Sequence, residues 1–182
     1  MSGASTPAKA GAQVQLPSGP RPSPGRSAVR FAGYAAVFDR PDRGGDVVRP
    51  GAFARSLKRR ARAVPLLWQH DVRRPVGRVE YLKEDRRGLR VIARLSDGEA
   101  GRVAAALLEA GQVAGLSFGY WVRTASGQAP RLLTEVDLVE ISLVTVPMQP
   151  GARVHALAHG AQASSCGATM VKPGTGRSSG PS

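Results

Sequence analysis

Hydrophobic positions in this chain alternate with polar ones over short runs, and glycine- and charge-rich turns separate the runs. In VRFAGYAAVF (29–38), Val29, Phe31, Gly33, Ala35 and Val37 fall on one side, which predicts a strand with one buried face. DRPDRGGDVVRPG (39–51) predicts a long turn. Pro50 suits a first helical position, and Phe53 and Leu57 are four apart, so a short helix is expected over 51–62. VPLLWQH (64–70) predicts a buried strand closed by polar residues. Strands follow at 75–82 and 88–95, joined as a hairpin by the charged turn KEDRRG (83–88).

The second predicted helix is 97–110. Ser96 and Glu99 are spaced as a capping box, Val103, Ala106, Leu107 and Ala110 line one face, and Gly111 supplies a left-handed stop. Residues 113–123 are aromatic and β-favouring, TASGQAP (124–130) is a polar turn, and RLLTEVDLVEISLVTVP (131–147) offers two strand-like runs ended by Pro147 and Pro150. Six or seven short strands with two helices predict an α+β protein: a mostly antiparallel β-barrel or sandwich with a few surrounding helices.

Composition divides the 182 residues into three parts. Residues 1–28 and 158–182 hold almost no large apolar side chains. Such segments bury too little surface to offset the entropy of ordering, so both are expected to be disordered tails flanking one domain at 29–157. All 13 acidic residues lie between Asp39 and Glu140, and the tails hold five of the 26 basic ones. The middle therefore carries 21 basic and 13 acidic groups, a net +8 out of the chain's +13. A basic surface favours nucleic acid, anionic lipid or an acidic protein partner without choosing among them. Its densest cluster, RSLKRRAR (55–62), also fits a solvated helix face. The single cysteine, Cys166, allows no intramolecular disulfide, and no apolar run reaches the length of a signal peptide or membrane span. A soluble, cytoplasmic protein is expected.

Three positions stand out chemically. Gly115-Leu116-Ser117-Phe118-Gly119 is a literal G-x-S-x-G, the pattern of a hydrolase nucleophile elbow. An elbow serine turns from strand into helix, however, and YWVRT continues here as a strand. The parallel sheet and crossover helices of that hydrolase class are also missing, so Ser117 followed by Asp137 and His155 does not make its triad. His70 closes the apolar run LLWQH, a place equally natural for a strand-end surface residue. Glu140 interrupts the apolar run LVEISLV, where it is either an outward-facing strand residue or a buried, paired carboxylate.

The joint pattern resembles the tailed-phage prohead maturation proteases, which are similar in fold and catalytic plan to herpesvirus assemblin-type capsid proteases. The resemblance runs from about Phe31 to Val154. It is carried by FAGYAAVFDRPDRGGDVVRPGAF, PLLWQHD with PVGRV, EDRRGLRV, GQVAGLSFGY and RLLTEVDLVEISLVTVPMQPGARV, in that order. Gene transfer agents carry similar proteins. The resemblance implies a serine endopeptidase that cuts scaffold and major capsid protein inside the assembling procapsid, and also itself, with no cofactor and no metal. It makes Ser117 the nucleophile, His70 the base and Glu140 the third member, where assemblin-type enzymes place a second histidine. His155 is the alternative third member. Arg153, the only basic residue of the PMQPGAR loop, is the candidate to assist backbone N–H groups at the oxyanion. Assemblin-type relatives are activated as homodimers.

Two other readings compete. One is a catalytically idle assembly factor of the same fold. The other is a nucleic-acid-binding β-barrel using Phe118, Tyr120 and Trp121, although a stacking platform needs alternate aromatics on one solvent face, and Tyr120 and Trp121 face opposite ways. Neither specific nucleic-acid binding nor a membrane is expected.

Overall fold

The computed structural model describes residues 29–60 and 64–159. The N-terminal tail, residues 61–63 at the end of the first predicted helix, and the C-terminal tail from Gly160, with Cys166, lie outside the described residues. In chain order the elements are β1 (Val29–Val37), β2 (Asp46–Val48), α1 (Ala54–Arg60), β3 (Pro65–Trp68), β4 (Asp71–Glu84), β5 (Gly88–Leu95), α2 (Glu99–Glu109), β6 (Gly115–Ser126), β7 (Arg131–Val144) and β8 (Val154–His159). None of the described helices is long and apolar enough to cross a membrane.

One sheet holds all eight strands in the order β2-β7-β3-β4-β5-β1-β8, with β6 on the other side of β7. It curls into a half-barrel whose ends meet. Leu116 N–H donates to the Ala152 carbonyl and Val154 N–H to the Ala114 carbonyl, tying the start of β6 to the start of β8. Phe31, Leu66, Val76, Leu89, Leu116 and Ile141 fill the interior. The sheet is mixed, which corrects the mostly antiparallel expectation: β2 and β3 both run parallel to β7, and the other pairings are antiparallel. The reason is local. Residues 46–68 lie along one edge of β7 in its own direction, with β2 against residues 131–133 and β3 against 141–143. The gap between them is closed by the Ala52 carbonyl, which accepts from Val136 N–H, and by Ser56 Oγ at the start of α1, which accepts from Leu138 N–H.

Other expectations shift for physical reasons. The 131–147 stretch holds one continuous strand, β7, ending at Val144 instead of two runs, and the long turn 39–51 contains β2. β8 includes Ala158 and His159, which the composition assigns to the tail. In β1 the predicted inward face holds as far as Ala35. There a bulge against β5 inserts an extra residue, so that Ala36 and Phe38 are buried next. Helix α2 caps on Gly98 with no side-chain bond, so the Ser96/Glu99 capping box does not form. Ser96 instead packs so tightly under Gly101 that a Cβ there would lie 2.2 Å from its carbonyl oxygen. The helix is rotated accordingly and buries Gly101, Ala104 and Leu108 in place of the expected face. Gly111 ends it as expected, at φ 68°.

Asp46 locks the far end of the β2–β7–β6 corner. Its carboxylate accepts two bonds from Arg131 (2.7 and 2.6 Å) and one from the Tyr120 hydroxyl (2.9 Å). Burial alone would raise its pKa, but Arg131 and Tyr120 together hold it below the usual aspartate value. A depressed folded pKa contributes stability above the ordinary aspartate range and loses it as pH falls through the folded value. Asp46→Asn is therefore expected to cost about 1–2 kcal/mol at neutral pH, discounted because the Arg131 side chain is half exposed. Urea denaturation at several pH values should show the gap from wild type closing in acid.

Candidate active site

A second bulge aims the buried carboxylate. Across β6 and β7, Gly119 pairs with Glu140 but Tyr120 pairs with Leu138, leaving Val139 as the extra residue. Before the bulge Val136 and Leu138 point into the core, and after it Ile141 and Leu143 do. Glu140 and Ser142 thus share the opposite face. Ser117 stands directly across from Ser142 and so lies on that face too. Ser117 and Glu140 are each only 5% exposed.

His70 reaches this face from a tight turn. Trp68 pairs with Asp71, and the two residues between them, Gln69 and His70, have φ of 51° and 63°. Two positive φ angles are what a type I′ hairpin requires, normally met by Asn or Gly. Here the strain is held by bonds to β7 and to Thr145 just past its end. Gln69 N–H donates to the Leu143 carbonyl (2.9 Å), Gln69 Nε2 to Thr145 Oγ1 (3.2 Å) and His70 N–H to Ser142 Oγ (3.1 Å). Uncommon backbone of this kind costs free energy and clusters at functional sites. The sequence alone suggests no turn at Gln-His, and β4 accordingly starts four residues earlier than expected, at Asp71.

The turn presents the imidazole to the carboxylate: His70 Nδ1 lies 2.6 Å from Glu140 Oε1, and the histidine side chain remains 25% exposed. The other carboxylate oxygen, Oε2, accepts from Ser142 Oγ at 2.5 Å. With both oxygens engaged, the bond to Nδ1 favours the tautomer that leaves Nε2 without a proton. Gly119 makes the fit possible. A Cβ there would sit 2.6 Å from Glu140 Oε1, so the second glycine of G-x-S-x-G is the space the carboxylate occupies rather than part of an elbow. The first, Gly115, lets β6 approach the Val144 carbonyl, 2.5 Å from where a Cβ would be.

The remaining candidates lie elsewhere. His155 is exposed on β8, edge-on to Tyr34 with ring centroids 5.8 Å apart, and Arg87 lies 3.4 Å from its Nε2. Burial, then the neighbouring Arg87 and Arg153 cations, lower its pKa. Arg153 bridges to Gly115 through its backbone, while its Nε donates to the Pro150 carbonyl of its own loop (3.1 Å). Phe118 packs on Tyr120 (4.8 Å) and edge-on to Phe53 (5.1 Å), and Tyr120 is tied to Asp46, so of the three β6 aromatics only Trp121 is exposed. That arrangement is a packed cluster, not a solvent-facing base-stacking platform. Sequence reasoning missed Ser142. A serine inside an apolar strand carries no signal by itself, although its i+2 spacing from Glu140 places both on one face.

A family model described as Caudovirus prohead serine protease matches residues 21–165. The prohead protease of Enterobacteria phage HK97 is 34% identical over 133 residues, covering 70% of this chain; the chain spans 59% of that protein's length. Among solved structures, the bacteriophage T4 capsid assembly protease superposes with a TM-score of 0.56 at 13% identity, over 65% of this chain and 82% of that one. KSHV protease in complex with a hexapeptide phosphonate inhibitor superposes with a TM-score of 0.54 at 14% identity, over 73% and 66%. At these identities the two structures establish a shared fold.

Proposed function

The chain belongs to the Caudovirus prohead serine protease family, and on that premise we propose that it is a serine endopeptidase that cleaves scaffold and major capsid protein within the maturing procapsid, and itself. The observation that carries the reading is the 2.6 Å contact of His70 Nδ1 with a buried carboxylate, on the sheet face that Ser117 shares. In this mechanism Ser117 Oγ attacks the scissile carbonyl carbon and its proton passes to His70 Nε2. Glu140 stabilises the imidazolium that forms and fixes the ring. His70 then returns the proton to the leaving amine as the C–N bond breaks. Water repeats the sequence on the acyl-enzyme, releasing the new carboxyl terminus and restoring Ser117. Electrostatic support for the tetrahedral oxygen falls to backbone N–H groups beside Ser117 and in the 147–153 loop; the Arg153 side chain, held by the Pro150 carbonyl, is given no part in it.

The test is co-expression of the full chain with candidate major capsid and scaffold substrates, followed by mass analysis of fragments. Discrete cuts that depend on His70 are expected. Intact partners beside a folded enzyme would count against the reading.

Gly119→Ala should separate site geometry from fold. The added methyl collides with Glu140 Oε1 and moves the carboxylate, and a displacement near 1 Å in a catalytic constellation can cost roughly 100-fold. Turnover is expected to fall by about that factor while the circular dichroism spectrum stays unchanged. An active Gly119→Ala enzyme would show that the carboxylate's position is not critical.

A further inference from the structure

The site contains a buried hydroxyl that the mechanism above does not use. Ser142 is fully buried, and its Oγ makes two bonds. It accepts from His70 N–H at 3.1 Å and lies 2.5 Å from Glu140 Oε2. An ionised carboxylate can only accept, and a serine hydroxyl has one proton, so that proton belongs on the bond to Glu140. The four groups then form a closed ring: His70 main chain to Ser142, Ser142 to Glu140, Glu140 back to the His70 ring. Through Ser142, the backbone of the base is thus tied to the same carboxylate that holds its ring.

From this ring we infer that Ser142 is a positioning residue for the Glu140–His70 pair. It holds Oε1 on His70 Nδ1 by anchoring Oε2, and it fixes the strained turn that delivers the ring. The inference rests on the roles of Ser117, His70 and Glu140 proposed above. Ser142 does not touch the reacting atoms; it acts through Glu140.

Phosphonylation of the full chain by an alkyl fluorophosphonate tests it without knowledge of the natural cleavage sequence. The Ser117 Oγ–P bond forms, fluoride leaves, and the serine proton passes to His70, so the rate reports the nucleophile and its base. Ser142→Ala is expected to slow labelling about 10- to 100-fold, the range for a hydrogen bond to a charged group. Ser142→Thr, which keeps Oγ, should recover most of the rate. In a Glu140→Ala background, Ser142→Ala should change the rate less than about two-fold, because the residue it acts through is gone.

The outcomes separate the two readings. Labelling that persists in Ser117→Ala overturns the proposed function and this inference with it. Labelling confined to Ser117, with a folded Ser142→Ala protein matching wild type in rate, overturns the Ser142 role alone. A Ser142→Ala loss that is the same in both backgrounds marks a general structural effect and also overturns it. Should Ser142→Ala not fold, Ser142→Cys decides: its weaker donor slows labelling if the role is right, and a wild-type rate overturns it.

Discussion

Ser117→Ala is expected to leave a folded protein in which the proposed cleavage of capsid and scaffold is at least ten-thousand-fold below wild type, which in a co-expression assay means none. The two halves of this expectation have different origins. The structural half follows from position. Ser117 lies within β6, two residues from its start, flanked by Leu116 in the core and Phe118 against Phe53, and paired through its backbone with Ser142. Removing one oxygen alters neither the ladder nor the packing, and changes of this kind usually shift stability by less than about 1 kcal/mol. The chemical half follows from there being no substitute nucleophile at that point of the face. Ser142 is committed to Glu140 and to His70 N–H, and cannot turn outward without leaving a buried carboxylate oxygen unpaired. His70→Ala should be as severe, and the double variant no worse than either, because a nucleophile and its base act as one unit. Fragment masses, intact mass and melting temperature of the three proteins supply the check. Undiminished cutting by folded Ser117→Ala protein would remove Ser117 from the chemistry.

How much of this was legible in the sequence depends on whether the cause was local. The β4–β5 hairpin turn falls where KEDRRG places it, and Gly111 ends α2 at positive φ, because both depend on neighbouring residues. The bulges at Ala35 and Val139 were not legible, since each exists only relative to a partner strand. The consequence is largest at Glu140. Simple alternation puts it opposite Ile141, which is right, but gives no reason why Val136 and Leu138, an even number of residues away, face the core. The parallel edge of β7 was hidden for the same reason: it arises from 46–68 lying alongside 131–143. His70 and Glu140 were conspicuous as polar residues ending or interrupting apolar runs. Ser142 was not, being small and common, and Gly119 was conspicuous for the wrong reason. Its motif is that of a nucleophile elbow, which the strand-like YWVRT already argues against, whereas its missing side chain makes room for a carboxylate on the next strand.

That carboxylate carries the second large effect. Glu140→Gln is nearly isosteric, and trading charge-assisted bonds for neutral ones should cost about 1–3 kcal/mol of stability, leaving the protein folded. Turnover is expected to fall by roughly ten-thousand-fold all the same, because the ring of bonds dictates how the amide sits. The Ser142 hydroxyl needs an acceptor at the position of Oε2. Placing the amide oxygen there satisfies it and directs the NH₂ group at His70 Nδ1, which must then accept and push the ring proton to Nε2, where the Ser117 proton would have to go. Reversing the amide restores the Nδ1–H bond but leaves the buried serine proton without a partner, at a cost of about 1–3 kcal/mol. The first arrangement therefore predominates, and it is the inactive tautomer. KM should change little, since Glu140 is buried under His70 rather than exposed to substrate, and the imidazole ¹⁵N resonances should report protonation moved from Nδ1 to Nε2. A variant that melts far below wild type while its surviving folded fraction turns over normally would instead make Glu140 a structural residue and leave His70 to be oriented by its turn alone.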